Sequence, residues 1–149
     1  MCYNMDKNTI EQNILGCVIL DFELVEEFLS LLQERDFSSK PHKILYRFIE
    51  KLYKEDEATE FNISEVHTKY PKVIPSIGGY EYLADLVDVC EPKSKFKSNC
   101  ESLIRESFKL DIARLSKLSE QYFKESFSDG KHYVFEQVQY WNDRLKNIN

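Results

Sequence analysis

The sequence predicts an all-α protein: a compact bundle of about six short helices over residues 1–92, followed by an antiparallel helical hairpin over residues 93–149. Three observations carry this expectation. Apolar residues recur at spacings of three and four through most of the chain, which is the period of a helix face. Four glycines and four prolines are too few to punctuate the many turns of a β-sandwich. A hydrophobic content of 42% is too high for disorder, and the length of 149 residues suits one ordinary domain or a domain with an appendage.

Thr9 and Gln12 have the spacing of a capping box, and Ile10, Ile14 and Val18 then recur every four residues as one apolar stripe. Gly16 sits inside that helix, where glycine costs about 1 kcal/mol against alanine, so another backbone is expected to pack close to it. Asp21 can cap a second helix reaching Leu32, with Val25, Phe28, Leu29 and Leu32 facing inward. Ser39 caps a third. Its Pro41 is tolerated because first-turn amides have no internal partner, and Ile44, Leu45, Phe48, Ile49 and Leu52 form its buried face. In FNISEV, Asn62 is a cap with Glu65 three residues on, and Phe61 and Val66 are spaced as a hydrophobic staple. Pro71 and Pro75 are expected to close that helix. Gly78 and Gly79 then mark a turn into a helix whose Tyr80, Leu83, Leu86, Val87 and Cys90 share one face.

The last third has a different pattern. Ile104, Phe108, Ile112, Leu115, Leu118 and Tyr122 lie on a long polar segment that the SDG of 128–130 is expected to break. Val134, Val138, Trp141, Leu145 and Ile148 follow at intervals of 4, 3, 4 and 3, an a/d seam. One hairpin satisfies only part of this surface. Phe108, Ile112, Leu115 and Tyr122 on the first arm, and Val134, Val138, Trp141 and Leu145 on the second, are therefore expected to meet a second copy in a two-fold dimer, with Trp141 as its anchor.

The formal charge of −6 and pI near 5.2 oppose binding to polyphosphate, so weak or no direct DNA binding is expected. Cys2, Cys17, Cys90 and Cys100 form no CxxC and have no zinc-ligand spacing to His42, His67 or His132. Inert thiols and no metal follow. The sole Gly-Lys, Gly130-Lys131, fails the Walker A pattern because position 125 is Glu and position 132 is His. No cofactor and no catalytic residue are expected. His42 reads as a surface or packing histidine, and His67 lies outside any HExxH. Asp85 and Asp88 read as a solvated helix face. KSKFK at 93–97 reads as a polar linker before it reads as a nucleic-acid contact. The longest apolar run, ILGCVIL at 14–20, is too short to span a bilayer and no leader precedes it, so a soluble cytoplasmic protein is expected.

IEQNILGCVILD, RDFSSKPHKILYRFIEKLY, IGGYEYLADL and LIRESFKLDIARLSKLSEQY occur here in an order and spacing that resemble the N-terminal domain of the DnaB family of hexameric replicative DNA helicases. The resemblance runs from Thr9 to Ile148. It implies a helical globule followed by a hairpin through which protomers pair, three pairs forming a collar. It also implies docking of the helicase-binding domain of primase, and of a helicase loader, on that collar. In this reading Gly78 and Gly79 are a structural turn. Cys90-Glu-Pro-Lys-Ser94 departs from the family's Asn-x-Pro-Ser-like turn, and the ATPase domain expected to follow is not in this sequence. Three functions stay open: a non-catalytic collar of an ATP-dependent helicase, a free-standing phage or plasmid adaptor or inhibitor, and a generic helical scaffold.

Overall fold

The computed structural model describes residues 5–148; Cys2 lies outside them. Among the described residues the regular structure is helical, with eight α-helices: α1 (Lys7–Leu20), α2 (Val25–Leu31), α3 (Lys40–Lys54), α4 (Ile63–Lys69), α5 (Val73–Ser76), α6 (Gly79–Val89), α7 (Phe96–Glu125) and α8 (Phe127–Leu145). Single 3-10 turns at Phe22–Leu24, Glu34–Asp36 and Lys93–Lys95 link them. The chain divides into two units between Leu103 and Ile104, inside α7.

The first unit is organised around α1. Its cap is Asp6, whose carboxylate accepts the Thr9 amide at 2.8 Å, so the helix starts ahead of the Thr9 cap expected from sequence. That amide, foremost, holds the Asp6 carboxyl below its ordinary value. Ile10, Ile14 and Val18 are buried as expected, but so are Leu15 and Ile19, because α1 is enclosed by neighbours rather than resting on one of them. Gly16 explains part of this enclosure. A Cβ there would lie 1.9 Å from the Leu86 carbonyl oxygen, so only glycine lets α6 come this close. The two helices run in the same direction, with Gln12 beside Tyr82 and Gly16 beside Leu86.

The remaining helices complete the core. Asp21 accepts the Glu23 amide and starts a 3-10 turn before α2, placing Val25, Phe28 and Leu32 inside while Leu29 stays half-buried. Ser39 caps α3, whose Leu45, Phe48, Ile49 and Leu52 are buried. Phe28, Phe37 and Tyr46 pack ring against ring at 5.1–6.1 Å, and the Tyr46 hydroxyl donates to the Leu32 carbonyl at 2.7 Å. Asn62 caps α4 through the Glu65 amide at 3.0 Å, and Phe61 and Val66 are both buried, as a staple requires. Pro71 follows the end of α4, but Pro75 lies within the short α5. Proline is accepted there because the first turn of a helix has amides with no internal acceptor. Leu83 and Leu86 face the core from α6, whereas Tyr80, expected on that face, is exposed.

In the second unit the arms of the hairpin are α8 and the part of α7 after Leu103. The break between them falls at Ser126, not at the SDG of 128–130. Ser126 caps α8 by accepting the Asp129 amide at 3.0 Å, and Ser-Asp-Gly is carried inside the first turn of α8.

Candidate interaction surface on the helical hairpin

The hairpin interior is fixed by aromatic side chains. Trp141 is 3% exposed; its Nε1 donates to Asp111 Oδ2 at 3.0 Å, and its ring meets Phe108 edge-on at 5.4 Å. The Arg144 guanidinium lies 5.2 Å from the same ring. Tyr122 stacks on Tyr133 at 4.4 Å. Near the turn, a Cβ on Gly130 would come within 2.0 Å of the Phe123 ring, so this glycine lets α8 close onto α7. The Gly-Lys pair of the failed Walker pattern is thus part of a packed helix.

These contacts change the expected seam. Trp141 was expected to anchor a partner, and it is instead turned into the hairpin, where its large apolar ring is covered and its indole N–H is satisfied by Asp111. Phe108, Leu115, Val134 and Leu145 are half-buried, while Ile112, Tyr122 and Val138 stay exposed. The aromatics missing from the expected set are Phe123, Phe127 and Phe135, which are 40%, 74% and 61% exposed.

Helix geometry pairs several of these side chains within each arm. Ile112 and Phe123 are eleven residues apart, as are Phe127 and Val138, and eleven residues come close to three full helical turns. Phe123 and Phe127 touch across the turn at 6.0 Å. Ile112 and Phe123 thus share one face of α7, Phe127 and Val138 share one face of α8, and the two phenylalanines meet at the turn. Ser126, followed three residues on by Asp129, was the sequence signal that could have located the turn.

The other residues singled out by sequence have structural roles. Gly78 and Gly79 have φ of 110° and 86°, values that L side chains rarely adopt, and they open α6 as the expected turn. Lys93 pairs with Asp21 at 2.9 Å and Lys95 with Glu91 at 3.4 Å; Phe96 is buried. KSKFK thus ties the entry of α7 to its surroundings. Asp85 and Asp88 are exposed. His67 accepts or donates at 2.7 Å with the Tyr80 hydroxyl on the surface. Among the described residues no three His, Cys, Asp or Glu side chains are grouped to hold a metal ion, and no helix is long and apolar enough to cross a membrane.

His42 is buried, and it belongs to a polar cluster. Its Nδ1 lies 2.8 Å from Glu11 Oε1 and its Nε2 lies 2.5 Å from the Tyr82 hydroxyl, which also accepts from Gln12 at 3.3 Å. Lys7 donates to Glu11 at 2.9 Å, to Ser38 Oγ at 2.7 Å and to the Asp36 carbonyl. Burial pushes the Glu11 carboxyl up, but hydrogen bonds from His42, Lys7 and the Ser38 amide outweigh it and leave the group below its ordinary range.

An enclosed central helix with a polar cluster at its start, a surrounding bundle and a two-helix hairpin define an all-α protein with no strand among the described residues. The chain belongs to the DnaB-like helicase N-terminal domain family, whose sequence model matches residues 4–106. Its fold is similar to the crystal structure of the N-terminal domain of DnaB helicase from Mycobacterium tuberculosis, with a TM-score of 0.73 at 18% identity over 87% of this chain and 96% of that one. It is also similar to a DnaB-like replicative helicase described together with its interactions with primase, with a TM-score of 0.69 at 20% identity over 95% of this chain. This chain spans 31% of that helicase. No curated protein matches it in sequence.

Proposed function

We infer that this chain is the non-catalytic collar portion of a replicative DNA helicase, pairing with copies of itself through the hairpin and presenting the paired surface to primase. Family membership supports the helicase context, and the exposure of Ile112, Phe123, Phe127 and Val138 on the two arms of the hairpin is the observation that carries the pairing. Phe123 and Phe127 lie against each other, and exposed apolar patches of this kind mark interaction sites. A two-fold arrangement lets one patch cover another, and three such pairs would build a ring. The similar helicase described with primase supports primase as the partner, with a helicase loader as a second client. ATP turnover would belong to another part of the parent helicase. Sedimentation of the chain, alone and with the helicase-binding domain of primase from the same source, tests this reading. A concentration-dependent dimer that binds primase is expected. A strict monomer that ignores primase would overturn it.

A further inference from the structure

Where α1 ends, three thiols of the first unit come near one another. The Cys17 Sγ donates at 3.2 Å to the carbonyl oxygen of Glu91, the residue next to Cys90, and the two thiols act on each other electrostatically. Close approach of the two helices at Gly16 sets up this proximity, since a Cβ on Gly16 would also lie 3.1 Å from the Cys90 Cβ. Cys17 and Cys100 are buried, whereas Cys90 is half-buried. Two neighbouring thiols, one half-buried and one buried, have the arrangement of a primary and a resolving cysteine.

We propose that Cys17 and Cys90 form an oxidant-responsive pair that closes to an intramolecular disulfide, fastening the end of α1 to the segment between α6 and α7. A hydroperoxide is the oxidant class that the site would take. Cys90, the accessible thiol, loses its proton to solvent and attacks the outer peroxide oxygen. The O–O bond breaks, an alcohol or water leaves, and Cys90 becomes a sulfenic acid. The Cys17 sulfur then attacks the Cys90 sulfur; the S–S bond forms, and the displaced hydroxide leaves with the Cys17 proton as water. In sum the two thiols lose two electrons and two protons, and the peroxide is reduced by the same amount. Burial foremost, with the neighbouring Cys90 and the carboxylates of Glu91 and Asp21, pushes the Cys17 thiol up to about 12, so Cys17 is not the thiol that meets the peroxide, and its proton leaves only as the S–S bond forms. Burial also pushes the Cys100 thiol up, and its full enclosure keeps it out of the reaction.

The bond would join residues 73 positions apart in a chain of 149, and cross-links of such span restrict the unfolded chain most. Oxidation should therefore raise the thermal midpoint of the first unit without changing its helicity. The test treats the full chain, carrying Cys2→Ser, with hydrogen peroxide under native conditions and maps the thiols by peptide mass spectrometry. One bridge per chain, joining Cys17 to Cys90, is expected, with a midpoint that rises on oxidation and returns on reduction. Cys90→Ser should abolish both changes, whereas Cys100→Ser should leave the bridge in place. The half-buried position of Cys90 makes its serine variant readily accommodated, and circular dichroism verifies that it folds. A bridge from Cys17 to Cys100, a disulfide between chains, Cys90 oxidised to sulfinic acid without a bridge, or no reaction would each overturn the proposal.

Discussion

The imidazole of His42 on α3 and the carboxylate of Glu11 on α1 face each other at 2.8 Å with both side chains sealed from solvent. Glu11 gains more from this arrangement than it loses by burial, because Lys7 and the Ser38 amide also donate to it. A carboxyl held below its ordinary value of 4.5 stabilises the fold fully above that value. The contribution is lost as pH falls through the lower folded-state value. Thermal melts from about pH 6 down to about pH 3 should show this loss in the native chain. Glu11→Gln should flatten that part of the profile and cost about 2 kcal/mol near neutrality, the usual worth of hydrogen bonds to a charged group.

Gly16→Ala should be more damaging than any propensity argument allows. Alanine favours helices, yet its methyl would meet the Leu86 carbonyl at 1.9 Å, and α1 could be relieved only by moving away from α6. Overpacking of this kind costs about 1–3 kcal/mol or more. Urea denaturation of the variant measures it, and equal or increased stability would show that the helices are free to separate.

Trp141→Ala should weaken the hairpin itself. The substitution removes the ring packed on Phe108 and leaves Asp111 without its indole donor, a loss of about 3–5 kcal/mol for a buried aromatic. Helicity of the α7–α8 region should fall, as hydrogen exchange of residues 104–148 would show, while amides of α1, α3 and α6 keep their protection.

Val138→Asp and Phe127→Ser address the exposed apolar side chains instead. Both positions are exposed, so the monomer should keep its helicity and melting point, and a charge or hydroxyl should block apolar pairing. Analytical ultracentrifugation should find dimer dissociation shifted at least tenfold, equivalent to about 1.4 kcal/mol. An unchanged dimer would place the contact on another face.

Ser126→Ala removes the hydroxyl that accepts the Asp129 amide. A cost of about 1 kcal/mol is expected, as for other N-caps, with fraying confined to the first turn of α8. Thermal melts and exchange at residues 127–131 would register it.

Local chemistry made much of this protein legible in its sequence. The all-α class, the caps at Ser39 and Asn62, the staple of Phe61 and Val66, and the Gly78–Gly79 turn all depend on interactions within a few residues, which is the range over which sequence patterns act. Gly16 was readable for the same reason: a glycine inside a strong helical pattern has few explanations other than close packing, and Leu86 supplies it. Tertiary contacts decided the rest. The a/d spacing of α8 fixes which residues share a face but not whether that face meets its own hairpin or a second copy. Asp111 and Phe108, thirty and thirty-three residues before Trp141, turned it inward. The helix break lies at the Ser126 cap, and Gly130, read as a breaker, is instead a packing site against Phe123. His42, Glu11 and Tyr82 come from three different helices and share no local pattern, so their joining into one buried cluster was visible only once the chain had folded.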